Sequence, residues 1–244
     1  MQNNIVKKTL VFVIIALFIG IAIQPGMSAN SVPEEEKTNV EPKDYLYQTV
    51  IDIANNPEVK DLLNQINKKN FFSNDFDSRD VILKLLFKKP GILLSTLFTI
   101  PTISYKYLNF AYHQGCEITD VIGEDKTLEI VESINITNLQ IFDSLTCIVM
   151  NNTELRSRIE TLEIMNNELN SDNPPYPIIC KILEMIVIVS IFILVYVPII
   201  KSHFRENSLI YRWLTSLYCM SDLFGSFIYV IALLLDCTEA PEPP

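Results

Sequence analysis

The chain has 244 residues, 49% of them hydrophobic, and its 29 Asp+Glu outnumber 19 Lys+Arg to give a net charge of −10. So acidic a chain argues against nucleic-acid binding and against polybasic docking on anionic lipid. Only six glycines fit a helical protein and speak against a β-sandwich, which needs many turns.

Residues 1–29 read as a signal peptide. Lys7 and Lys8 precede the apolar run Thr9–Ile23, and Met27-Ser28-Ala29 is a small-residue cleavage site. Met27 fits that site imperfectly, so an uncleaved anchor is the alternative. Either way the following residues are exported. The leader carries two cations and no acid, so its removal leaves a net charge of −12.

Residues 30–42 are acidic, with Pro33 and Pro42 near their ends, and read as a flexible tether. Residues 43–172 then predict an extracytoplasmic bundle of short helices. Tyr45, Val50, Ile51, Ile53 and Ala54 mark a first apolar face, which Asn56-Pro57 breaks while starting the next helix as cap and first residue. Val59, Leu62, Leu63 and Ile66 continue at helical spacing. A third helix is expected over Arg79–Lys88, capped by Asp77 or Ser78 and stopped by Pro90. Pro90–Tyr105 is uncharged but too short to span a bilayer, so it predicts a core or membrane-skimming helix. Thr102–Gln114 is aromatic-rich and is expected to end at Gly115. Glu124–Ser133, Leu139–Met150 and Glu154–Leu169 complete the helices, and a strand near Glu117–Ile122 stays open. Asn135-Ile-Thr137 and Asn151-Asn-Thr153 match the N-glycosylation pattern. Residues 173–177 form a stiff Pro-rich joint.

The C-terminal quarter predicts a transmembrane hairpin, with helices at 178–200 and 213–235 joined by a loop at 201–212. Each apolar run has 23 residues, reaching about 34 Å across a ~30 Å hydrocarbon core. The loop holds Lys201, Arg205 and Arg212 against one acid, Glu206, whereas the tail 236–244 holds three acids and no base. The positive-inside rule therefore makes the loop cytoplasmic and the tail extracytoplasmic, in agreement with an exported N-terminus.

Export permits disulfides among the five cysteines. Cys180 and Cys237 flank the outer ends of the two spans and are a candidate pair. Cys116 and Cys147 are the second, leaving Cys219. All of them packing as thiols is the alternative. Asp222 falls near the middle of the second span, at about the depth of Ser190 in the first, beside the small residues Ser221 and Gly225. It reads either as an ionisable group with a transport role or as a hydrogen-bonded residue holding helices together.

Nothing in the sequence points to catalysis or a cofactor. The two histidines, His113 and His203, lack zinc spacing, and His113-Gln-Gly-Cys116 is a lone pair. No phosphate-binding glycine loop, nucleophile elbow or HExxH pattern occurs.

The leader Lys-Lys-Thr-Leu-Val-Phe-Val-Ile-Ile-Ala-Leu-Phe-Ile-Gly (7–20) and Asp44-Tyr-Leu-Tyr-Gln-Thr-Val-Ile-Asp-Ile-Ala-Asn-Asn-Pro-Glu-Val-Lys (44–60) resemble a group of archaeal exported and membrane proteins. The resemblance extends over the leader and residues 44–165. It implies an archaeal envelope setting and brings no activity or functional residue.

The expectation is an all-α, membrane-anchored protein that binds rather than catalyses, partnered by the lipid bilayer and by another protein or copies of itself. An accessory subunit of a membrane transport or enzyme complex is the alternative.

Overall fold

A computed structural model describes residues 41–66, 72–74, 84–85, 87–136, 139–168 and 178–237. The leader, most of the tether, the 173–177 joint, the tail beyond Cys237 and most of the expected helix at Arg79–Lys88 lie outside the described residues. The fold is all-α. Its helices are α1 (Pro42–Asn55), α2 (Pro57–Ile66), α3 (Pro90–Phe98), α4 (Tyr105–Ile122), α5 (Glu124–Glu132), α6 (Leu139–Asn151), α7 (Thr153–Glu168), α8 (Ile178–Lys201) and α9 (Leu209–Leu234). One short antiparallel ladder joins β1 (Phe72–Asn74) to β2 (Ile134–Ile136), with Ser73 opposite Asn135.

Local chemistry sets most of these boundaries. The Asn56 side chain accepts from the backbone N–H of Glu58 at 2.9 Å, which starts α2 at Pro57. Asn152 caps α7 in the same way, accepting from Glu154 and Leu155 at 3.1 Å. The Ser208 hydroxyl accepts from Tyr211 N–H at 3.1 Å, so α9 begins four residues earlier than its apolar run and the loop shortens to 202–208. Cap chemistry, rather than the edge of hydrophobicity, decides that end.

Two expectations about α4 are corrected. Gly115 does not stop the helix, and Glu117–Ile122 is helical; α4 runs on for 18 residues to Ile122. The stop is Gly123, whose φ of +99° is left-handed backbone that glycine adopts without strain. Gly115 instead sits where α4 touches α8, and a Cβ there would run into the backbone of Met185.

That approach makes the described helices and the apolar hairpin one compact unit. α8 is its central helix, packed against α9 and α4 most extensively and also against α1, α3, α5 and α7. From Ile179 to Ile193, α8 is buried except at Lys181 and Glu184, and α9 is buried from Phe224 to Leu234. The opposite end is less covered: Pro198, Ile199, Ser216 and Cys219 are exposed. α1 and α7 lie together, tied by Arg158 and Asp52 at 3.0 Å.

Candidate functional site

The seam between the hairpin and helices α3 and α4 collects most of the buried polar chemistry. α8 and α9, with 24 and 26 residues, are long and apolar enough to cross a membrane. Cys180 and Cys237 join one end of the hairpin as a disulfide, with Cα atoms 5.1 Å apart. Cys116, Cys147 and Cys219 are free thiols. The expected Cys116–Cys147 bond is therefore corrected. Cys116 rides on α4 against α8, whereas Cys147 sits exposed on α6, which packs with α2 and α7. Burial holds the Cys116 thiol above its ordinary pKa, so it is a weak nucleophile.

The disulfide also sets the register of the hairpin. Ser190 lies ten residues inward from Cys180, and Asp222 lies fifteen inward from Cys237. Asp222 is buried, and its backbone carbonyl accepts from the Ser226 hydroxyl at 2.6 Å. The hydroxyls of Ser190 and Ser221 are buried without a hydrogen-bond partner.

α3 and α4 form a second, shorter helical pair lying along this hairpin. Lys89, at the head of α3, approaches Glu117 of α4 at 3.9 Å, and Ser95 donates to Gln114 at 2.6 Å. Deeper in, the hydroxyls of Thr96 and Tyr196 meet at 2.6 Å. At its far end Phe98 stacks on Trp213, with ring centroids 5.8 Å apart. α4 returns in the opposite direction. Tyr107 sets its ring edge-on to Phe224 at 4.9 Å, Thr119 reaches the Met185 sulfur at 3.3 Å, and Glu124 receives Lys181 at 2.7 Å. The Tyr107 hydroxyl is buried with no partner, and burial raises its pKa far out of reach of physiological titration. The Lys181 ammonium holds Glu124 below the usual carboxylate range.

These groups can hold helices in register. The Tyr105 hydroxyl, at the start of α4, donates to the Asp44 carboxylate at 2.7 Å. No group of three or more His, Cys, Asp or Glu side chains converges as a metal site among the described residues. Thr96 is also bonded to the carbonyls of Ile92 and Leu93 at 3.0 and 3.1 Å, so it keeps partners when Tyr196 loses its hydroxyl. Tyr196→Phe is accordingly expected to cost only about 1 kcal/mol, read from thermal melts of the purified protein.

The outward side of α4 is polar. Lys106, His113 and Asp120 are exposed and Glu117 half-buried, at helical spacing that puts them on one face. His113 lies two residues from Gly115, so this stripe runs beside the interior of the hairpin. The sequence shows the residues but not this placement, because nothing local says that α4 lies against α8. Asn151, exposed at the end of α6, directs its side-chain amide to Cys147 at 3.2 Å, and Asn135 falls in β2.

The fold and its seam define a helical protein built around a disulfide-locked apolar hairpin. The chain matches no family model, no curated protein and no solved structure.

Proposed function

We propose that this protein is a membrane-anchored helical module of the cell envelope that works by binding, as a partner in an assembly, rather than by catalysis. In this reading α8 and α9 cross the bilayer. The loop 202–208 is cytoplasmic, as its flanking cations require, and the Cys180–Cys237 end faces the oxidising side.

The observation that carries the binding role is the polar stripe on α4. It runs beside helices long and apolar enough to span, at a depth where hydrocarbon would surround the bundle. A charged side chain facing lipid costs about 2.5–3.5 kcal/mol at the centre of a span. Covering the stripe with protein removes that cost. With the cation Lys106 at one end and the acids Glu117 and Asp120 at the other, the stripe fits a partner helix of mixed charge, including that of a second copy.

Two measurements test this. Native mass spectrometry of the full chain from mild detergent is expected to show an oligomer or a complex with a second protein; a bare monomer sinks the assembly reading. Epitope tags in the 202–208 loop and after Pro244 report topology. The loop tag is expected to resist protease in intact cells while the C-terminal tag is cut, and the reverse pattern removes the orientation.

A further inference from the structure

The less covered end of the hairpin has a composition unlike the rest of this acidic chain. Two separate elements build it: the end of α3 and the loop between α8 and α9. Ile100 is 54% exposed, Ile199 48% and Leu209 83%. Trp213 follows Leu209 by one helical turn and is stacked on Phe98, two residues before Ile100. Ile100 and Leu209 therefore adjoin the stacked aromatic pair in sequence, and Ile199 stands in the last turn of α8 before the loop.

Cations surround this apolar tip. Arg205 and Arg212 are exposed, and neither makes an ion pair among the described residues. The Lys201 ammonium lies 4.6 Å from the Tyr211 ring centroid. Glu206 is the only acid between Lys201 and Trp213. The overall charge of −10 does not cancel this patch, because charges more than about 8 Å apart in water are largely screened from one another at physiological salt. Exposed aliphatics with a Trp/Tyr collar and unpaired arginines match a bilayer interface: the side chains enter the acyl boundary while the cations meet headgroup phosphates.

We infer that this tip is a contact site for anionic lipid, formed jointly by the α8–α9 loop and the end of α3. The inference rests on the membrane reading above and adds to it the lipid class and a part for α3. It also gives a reason for the Phe98–Trp213 stack, which holds the two elements at one depth.

Trp213 is the only tryptophan of the chain, so its emission reports this site without labelling. The full chain is reconstituted into phosphatidylcholine vesicles with and without phosphatidylglycerol, one or the other lipid carrying brominated acyl chains. Brominated phosphatidylglycerol is expected to quench Trp213 on the order of 5-fold more effectively per lipid than brominated phosphatidylcholine, the advantage that roughly one net cation contact gives. Lys201→Gln/Arg205→Gln/Arg212→Gln should bring the two lipids to parity without abolishing quenching. Equal quenching of the unaltered chain overturns the inference, as does a preference that survives the triple substitution. Quenching by neither lipid overturns the membrane reading as well, which separates the two failures.

Discussion

Gly115→Ala is expected to destabilise the protein by about 3 kcal/mol or more, the upper range for overpacking a well-packed contact. In an ordinary helix interior the same change is favourable by up to ~1 kcal/mol, because glycine loses more backbone freedom on folding. The sign is reversed here by what the new methyl would meet. A Cβ on Gly115 collides with the Met185 carbonyl oxygen and falls 2.6 Å from its carbon and 2.8 Å from its Cα. All three are backbone atoms of a helix buried on nearly every side, so no side chain can turn away to make room. Relief requires α4 to lift off α8, and that disturbs the Thr119–Met185 and Tyr107–Phe224 contacts that α4 makes with the hairpin. Gly91→Ala is the control. Gly91 is exposed in the first turn of α3 with nothing within 4 Å of a built Cβ. That variant should be neutral or slightly stabilising. Circular-dichroism melts of both variants in one detergent decide the matter, and a Gly115→Ala protein as stable as its parent would mean that α4 does not lie on α8.

The same glycine marks where sequence reasoning stops. Within an element the sequence is informative, because caps and periodicity are local. Asn56-Pro57 starts α2 as its side chains require, and the apolar spacing of Leu155, Ile159 and Leu162 matches the buried face of α7. The two long apolar runs are read from composition alone. Contacts between elements are not local. A glycine late in an aromatic-rich stretch reads as a helix end by propensity, and only the presence of α8 alongside turns it into a packing contact. For the same reason α3, short and uncharged, reads as a core or membrane-skimming helix, but nothing local names its partners Tyr196 and Trp213, which lie about a hundred residues away. The cysteines divide along this line too. Cys180 and Cys237 flank two long apolar helices that a short loop makes antiparallel, so hairpin geometry brings them together. Cys116 and Cys147 had only membership in one region to pair them, and α4 and α6 take different neighbours.

Removing the Cys180–Cys237 bond is the second change with a large expected effect, and its size reports the environment of the hairpin. The bond closes a separation of 57 residues. For a chain that unfolds into water, loop-closure entropy puts its contribution at about 4 kcal/mol. If α8 and α9 cross a bilayer, both helices stay inserted when the surrounding helices come apart, and their outer ends stay near one membrane face. Less entropy is then left for the bond to remove, and Cys180→Ala/Cys237→Ala should cost roughly half as much, about 2 kcal/mol, or on the order of 4–8 °C in Tm. Cys219→Ala, at an exposed free thiol, should stay within about 0.5 kcal/mol of the parent. A loss near the larger figure, with the protein recovered from the aqueous fraction, would place the hairpin inside a water-soluble bundle. Intact mass before and after reduction completes the test. The chain should gain the two hydrogens of a single bond; a gain of four would require two of Cys116, Cys147 and Cys219 to be joined, which the structure holds as free thiols.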